Sequence, residues 1–166
     1  MKTIKTDRLL LRPLKIEDID SVMNFWGNEE VMKYCGGPGT KERELKALKY
    51  YINLQNKKGY SPFALILKEN MDIIGACGFN PTKKEDEIEL IYHLNKNYWK
   101  KGYAFEAAST CINYARKNLK IKRILTSVDM RNIASRKILE KLGFKFKESK
   151  FKEVTKQKEY HFELII

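Results

Sequence analysis

Apolar and polar positions change period along the chain, and each change marks an element. Leu9 to Leu11 lie between Arg8 and Arg12 and ahead of Pro13, which reads as a first strand. Ile16, Ile19, Val22, Met23 and Trp26 then recur at helical spacing and predict an amphipathic helix ending near Gly27. The run CGGPG at 35–39 packs three glycines and a proline into five residues and must be a loop. A second helix is expected over 41–58, with Thr40 as N-cap and Gly59 as its stop. The middle of the chain reads as three strands joined by hairpins, at 63–68, 73–79 and 87–94. A helix over 103–118 follows, and its stripe of Ala104, Ala107, Ala108, Cys111 and Ala115 would let it lie close on a sheet. A strand at 121–128, a helix at 132–142 stopped by Gly143, and strands at 144–151 and 159–166 complete the chain. The order βααβββαβαββ describes an α/β (α+β) fold, a mixed sheet flanked by helices. No repeat, low-complexity tract or linker interrupts it, so a single domain over 1–166 is expected.

Composition adds exclusions. With 166 residues, 43% of them hydrophobic, the chain can bury a core. No apolar run approaches the roughly 18 residues of a membrane span, and MKTIKTDRLLLRPL has neither an apolar secretion core nor a small-residue cleavage site. Cys35, Cys77 and Cys111 form neither a CxxC nor a cysteine–histidine pattern, so no disulfide framework and no metal site is expected. These features together predict a cytoplasmic protein with no membrane partner.

The net charge of +12 invites a nucleic-acid reading. However, 26 of the 33 basic residues are Lys, whereas base-edge and bidentate phosphate recognition favour Arg. A nucleic-acid partner is therefore not expected. The charge is also uneven: residues 1–80 carry 13 basic and 10 acidic side chains, residues 81–166 carry 20 and 11. An anion in contact with the second half would explain the difference.

The segment Tyr98-Trp99-Lys100-Lys101-Gly102-Tyr103-Ala104 lies between a strand and a helix start, where unpaired main-chain N–H groups can hold a diphosphate. Gly102 and Ala104 keep that surface free of bulk, and Lys100 and Lys101 add charge. Neither GxxxxGK[ST] nor GxGxxG is present. About 28 residues on come Asn132 and Ser135, then Leu139-Glu140-Lys141-Leu142-Gly143-Phe144. In this order, from about Thr6 to Phe144, the chain resembles the GCN5-related N-acetyltransferase (GNAT) superfamily. Trp99, the N-terminal RLLLRP and the Glu89-Leu90-Ile91-Tyr92 strand resemble its branch of ribosomal-protein N-terminal acetyltransferases, RimJ and RimL.

The resemblance implies a strongly bent sheet whose fourth and fifth strands splay apart around acetyl-CoA, used as cosubstrate without a metal. It implies that main-chain groups of Tyr92, His93 and Leu94 pair with the pantetheine, and that the turn formed by Trp99, Lys100, Lys101, Gly102, Tyr103 and Ala104 receives the pyrophosphate. Asn132 matches a family Asn near the cofactor arm, besides being a natural helix N-cap, and Ser135 matches a Ser near the thiol. Many members place a tyrosine acid where this chain has Leu139, so Ser135 is the hydroxyl left to serve the departing thiolate. The implied reaction is attack of a primary amine, on a protein N-terminus or a small molecule, on the thioester. It needs a base and an oxyanion donor, such as the N–H of Leu94.

Glu89 is the candidate base. Alternation puts it on one strand face with Ile91 and His93, and a cleft-facing Glu89 would have a raised pKa. His93 is a second titratable candidate, and His161 reads as structural. For the acceptor, the loop 34–39 and the first helices are expected to contribute, with Trp26, Tyr34, Tyr50, Tyr51 and Phe63 lining a pocket. Glu29, Glu30, Glu42 and Glu44 read as a solvated face. The alternative, favoured by Leu139, is an acyl-CoA-binding protein without turnover. The assembly is expected to be a monomer or a homodimer.

Overall fold

The structure, a computed structural model, describes residues 3–166; the single-domain expectation also covers Met1 and Lys2, which lie outside the described residues. One eight-stranded sheet organises the chain, in the order β1-β2-β3-β4-β5-β6-β8-β7. The strands are β1 (Ile4–Lys5), β2 (Leu9–Pro13), β3 (Pro62–Leu67), β4 (Ile73–Pro81), β5 (Glu87–Leu94), β6 (Arg123–Asp129), β7 (Lys145–Lys152) and β8 (Gln157–Ile165). The helices are α1 (Ile19–Met23), α2 (Glu29–Met32), α3 (Lys41–Lys58), α4 (Tyr103–Asn118) and α5 (Ile133–Lys141). All neighbouring strands run antiparallel except β5 and β6, which are parallel and joined through α4.

Each sheet face buries its own core. Leu9, Leu11, Phe63, Leu65, Phe79, Ile88 and Leu90 pack in one cluster with the small-residue stripe of α4. The stripe does what its composition predicts: Ala107, Ala108, Cys111 and Ala115 are fully buried, and the Cys111 thiol lies 3.6 Å from the Cys77 carbonyl of β4. On the opposite face the small residues belong to the sheet, where Ala64 and Ala76 lie beneath Val22, Phe25, Trp26 and Leu48.

The continuous helix expected over 16–27 is broken. Ile16–Asp18 form a 3-10 turn, and α1 ends at Met23. Asp18 explains the entry: it is buried, takes a two-pronged ion pair from Arg12 at 2.7 and 2.8 Å, and accepts the Lys15 amide at 2.8 Å. The exit tightens through bonds three residues apart, from the amides of Asn24 and Phe25 to the carbonyls of Ser21 and Val22. Two elements had no period to reveal them: β1, two residues long, and α2, a single turn capped by the Asn28 side chain on the Val31 amide. Because β1 precedes the first expected strand, the fourth and fifth strands of the sequence reading are β5 and β6.

Candidate active site

The parallel pair β5–β6 is the irregularity that creates the site. The two strands are in register only at Glu87–Arg123, Ile88–Ile124 and Glu89–Leu125. Beyond Glu89 they part: β5 stays paired with β4 as far as Leu94, and β6 stays paired with β8 as far as Asp129. The Thr126 hydroxyl donates to the Leu90 carbonyl at 3.0 Å and pins the apex of the V. That bond, and the bond from the Trp99 indole N–H to the Leu94 carbonyl at 2.9 Å, show which edge of β5 faces the opening. By strand alternation the main-chain groups of Leu90, Tyr92 and Leu94 face the V, and those of Ile91 and His93 face β4. Consistently, a side chain on Gly75 of β4 would collide with the His93 carbonyl. The main chain of His93 is therefore turned away from the groove in which it was expected to pair.

At the wide end of the V stands the N-terminus of α4. Gly102 is its N-cap, at φ 82° and with no side chain to cap the helix, so main-chain N–H groups of the first turn are left for another acceptor. Lys100 is also left-handed, at φ 61°. Trp99, Lys100 and Lys101 are exposed on this turn, Tyr103 is buried beneath it, and Ala104 is partly buried. This donor set fits a diphosphate: the first-turn amides carry no side-chain cap, and two exposed lysines flank them.

α5 closes the other side. Asn132 caps it, its side chain accepting the Ser135 amide at 3.2 Å, which is the N-cap role the sequence allowed. The Ser135 hydroxyl lies 2.6 Å from the Tyr92 hydroxyl, a contact that spans the opening from β5 to α5. Burial pushes the Tyr92 phenol well above its ordinary range, against the opposing bond from Ser135, so it stays protonated at neutral pH. Leu139 is fully buried in the α4-side core, and its side chain is spent on packing.

The opposite face of β5 carries Glu89, Ile91 and His93. Glu89 is half-buried at the apex and lines a cavity of about 400 Å³ with Leu125, Thr126, His161, Lys147 and Lys150. The Tyr51 hydroxyl is pushed up to about 12, by burial first, with Tyr50, Glu44 and Glu89 adding to it. His93 is engaged on both nitrogens: the Trp26 indole N–H donates to Nδ1 at 3.2 Å, and Nε2 lies 3.5 Å from the Cys35 thiol. Burial holds its pKa down at about 4. Because Nδ1 receives a proton donor, the neutral ring carries its hydrogen on Nε2. It can then neither take a proton from a substrate through Nδ1 nor deprotonate Cys35, whose thiol is itself pushed up, chiefly by burial.

Among the expected pocket residues, Trp26 and Tyr51 meet at 5.7 Å on this face. Phe63 does not join them; it is buried on the α4 side against Tyr114. Tyr34 lies under Arg131 and beside Lys33, and Tyr50 is half exposed. Glu44, read as solvated, is 6% exposed, and a side chain at Gly39 would run into its carboxyl. The Tyr92–Ser135 and Trp26–His93–Cys35 contacts join residues 43 to 67 positions apart, so no local spacing marks them.

This arrangement defines a class, and comparison with known proteins assigns it. Residues 8–145 match the acetyltransferase (GNAT) domain family. A relative in Bacillus licheniformis, the uncharacterised N-acetyltransferase p20, is 36% identical over 147 residues, covering 87% of this chain and 83% of its own. The crystal structure of a GNAT-family acetyltransferase from Bacillus anthracis superposes with a TM-score of 0.86 at 27% identity, over 99% of this chain and 98% of that one. RimL, a ribosomal L7/L12 alpha-N-protein acetyltransferase solved in complex with coenzyme A, shares the fold at a TM-score of 0.81 and 17% identity, over 99% and 98% of the two chains. The chain belongs to the GNAT family and is an N-acetyltransferase. Among the described residues no helix is long and apolar enough to cross a membrane.

Proposed function

We propose that the chain, acting as a single domain over 1–166 in the cytoplasm, transfers an acetyl group from acetyl-CoA to a primary amine by direct attack. The observation that carries this reading is the V between β5 and β6, with Glu89 at its apex and the uncapped α4 N-terminus at its mouth. When bound, acetyl-CoA supplies an acetyl group activated as a thioester. The first-turn amides of α4, with Lys100 and Lys101, hold the diphosphate. The main chain of Tyr92 and Leu94 offers N–H groups along the groove, and the Asn132-capped turn carries Ser135 to its far wall. His93 contributes through its side chain, as part of the acceptor-side wall.

Proton movements divide between the two faces. An alkyl amine is mostly protonated at neutral pH and must lose a proton before it can attack. Glu89 takes that proton at its carboxylate, on the face where Tyr51 and Trp26 stand and where His93 cannot compete for it. On the other face the Tyr92 and Ser135 hydroxyls share a hydrogen bond, and with Tyr92 as its donor the Ser135 hydrogen is free for the departing sulfur. This pair stands in for an acid at Leu139. The acceptor is a small-molecule amine or a peptide N-terminus entering from the α3 side.

Two measurements test the reading. CoA at millimolar concentration should raise the Tm of the protein, and thiol release from acetyl-CoA should appear with some member of a panel of amines and peptides. Gly102→Glu, which puts bulk and negative charge into the turn, should abolish the thermal shift, whereas Lys49→Glu on the exposed face of α3 should keep it. Absence of any shift in the unaltered protein refutes the donor; a shift without thiol release across the panel leaves a binder without turnover.

A further inference from the structure

The turn that would take the diphosphate is held from behind by a residue nearly a hundred positions away. The Arg8 side chain donates from Nη1 to the Lys101 carbonyl at 2.8 Å and from Nε to Glu106 Oε2 at 2.7 Å. Its guanidinium also lies 4.5 Å from the centre of the Tyr103 ring. Glu106, in the first turn of α4, is fully engaged in return. Its Oε1 accepts the Arg8 amide at 2.9 Å and the Thr6 hydroxyl at 2.5 Å. Burial opposes the charge on Glu106, but the bonds from Thr6 and Arg8 outweigh it and hold the carboxyl below its ordinary range. The carboxylate is therefore ionised whenever the enzyme works, and the clasp is closed.

What the clasp fixes is a peptide plane. In a trans peptide the C=O and the following N–H point in opposite directions. Drawing the Lys101 carbonyl onto Arg8 therefore turns the Gly102 N–H to the open side of the turn. The residues flanking Lys101 both occupy the left-handed region, Lys100 at φ 61° and Gly102 at φ 82°. For a lysine this conformation is sparsely populated and persists only where surrounding structure enforces it. Arg8 bonds the carbonyl that lies between these two residues and so fixes the peptide plane from Lys101 to Gly102. Its own charge is neutralised by Glu106, so its effect on an anion works through geometry.

We propose that Arg8, locked by Glu106 and Thr6, is a positioning residue that holds the Trp99–Tyr103 turn in its diphosphate-receiving conformation without touching the ligand. This rests on the acetyl-CoA reading above and goes beyond it by making donor affinity depend on the loop before β2. The test compares two donors, acetyl-CoA and S-acetylpantetheine, which lacks the diphosphate. Arg8→Gln should raise KM for acetyl-CoA and the calorimetric Kd for CoA by about 10-fold or more, the value of one or two charge-assisted hydrogen bonds, with kcat preserved. KM for S-acetylpantetheine should stay unchanged. The double variant Arg8→Gln/Glu106→Gln removes the charge left on Glu106; it should keep the defect, because the Lys101 carbonyl is still unheld.

Equal losses with both donors, or recovery of wild-type CoA affinity in the double variant, would overturn the proposal. If Arg8→Gln does not fold, Thr6→Val takes its place. That variant removes one bond to Glu106, and a selective weakening of CoA over pantetheine supports the clasp while equal binding refutes it. Failure of the unaltered protein to bind CoA fails the donor reading itself, whereas unaltered binding in Arg8→Gln fails the clasp alone.

Discussion

His93 ties acidity to stability in a way that can be measured. Its ring is partly buried, takes the Trp26 indole N–H on Nδ1, and has its pKa lowered by desolvation from 6.5 to about 4. Protonation would set one N–H against another and place a charge where its hydration is reduced. The unfolded chain binds that proton near pH 6.5, while the folded chain refuses it until about pH 4. Between these values the unfolded state holds more protons, so stability falls as pH falls. The contribution is fully present above 6.5 and lost on the way down to about 4. At about 1.4 kcal/mol per pH unit, the gap amounts to about 3 kcal/mol. Urea unfolding of the wild type and of His93→Gln, from about pH 7.5 to pH 4, isolates the effect, because glutamine can still accept from Trp26 and shared carboxylate titrations cancel in the difference. The wild type should lose about 3 kcal/mol relative to the variant across this window. Parallel pH profiles for the two proteins would refute the placement of His93.

Three further outcomes follow from the same geometry. Glu89→Gln should lower kcat/KM at neutral pH by about 10²- to 10⁴-fold while leaving the calorimetric Kd for CoA unchanged; normal turnover across pH removes Glu89 from the mechanism. Ser135→Ala and Tyr92→Phe should both lower kcat, the second by about 10-fold, and the double variant should be no worse than Ser135→Ala, since the phenol acts through the hydroxyl; additive losses would separate the two roles. Asp18→Ala strands the partly buried Arg12 and should cost about 3 kcal/mol in chemical denaturation, whereas a loss within experimental error would mean that water reaches the pair.

The sheet, the four longer helices or helical regions and the α4 turn were legible because each is written in a local period or a turn residue. The Lys41–Lys58 helix matches its Thr40 and Gly59 signals to the residue, and β5 matches its apolar run. Where the helix expected from Ile16 fails at its start, the competing interaction is tertiary: Asp18 is drawn into an ion pair by Arg12, and no helical period records that. The same limit governs the site. Strand alternation placed Glu89 and His93 on one face, but only the register with β6 shows that Glu89 stands at the last pair before the strands part. The roll of aromatic residues was harder still, since Trp26 and Phe63 have the same hydrophobic signature and end on opposite sides of the sheet.

Charge shows how a correct total can carry a misleading map. The excess of basic residues in the second half suggested contact with an anion, yet several of these cations are already engaged. Lys96 pairs with Glu30 at 2.6 Å, Arg131 pairs with the buried Asp129 at 2.8 Å, and the Arg136 guanidinium lies over Tyr160. Four more lysines, at 145, 147, 150 and 152, belong to β7, the outermost strand, where charge discourages edge-to-edge pairing with another sheet. Lys100 and Lys101 remain exposed at the α4 turn, the Lys101 ammonium 5.6 Å from the centre of the Tyr98 ring. An enzyme that takes a diphosphate on main-chain amides needs little more, because amides fixed in direction cost no reordering when the anion arrives. The requirement then shifts from supplying charge to holding the turn, and in this chain that task falls to Arg8 and Glu106 at its back.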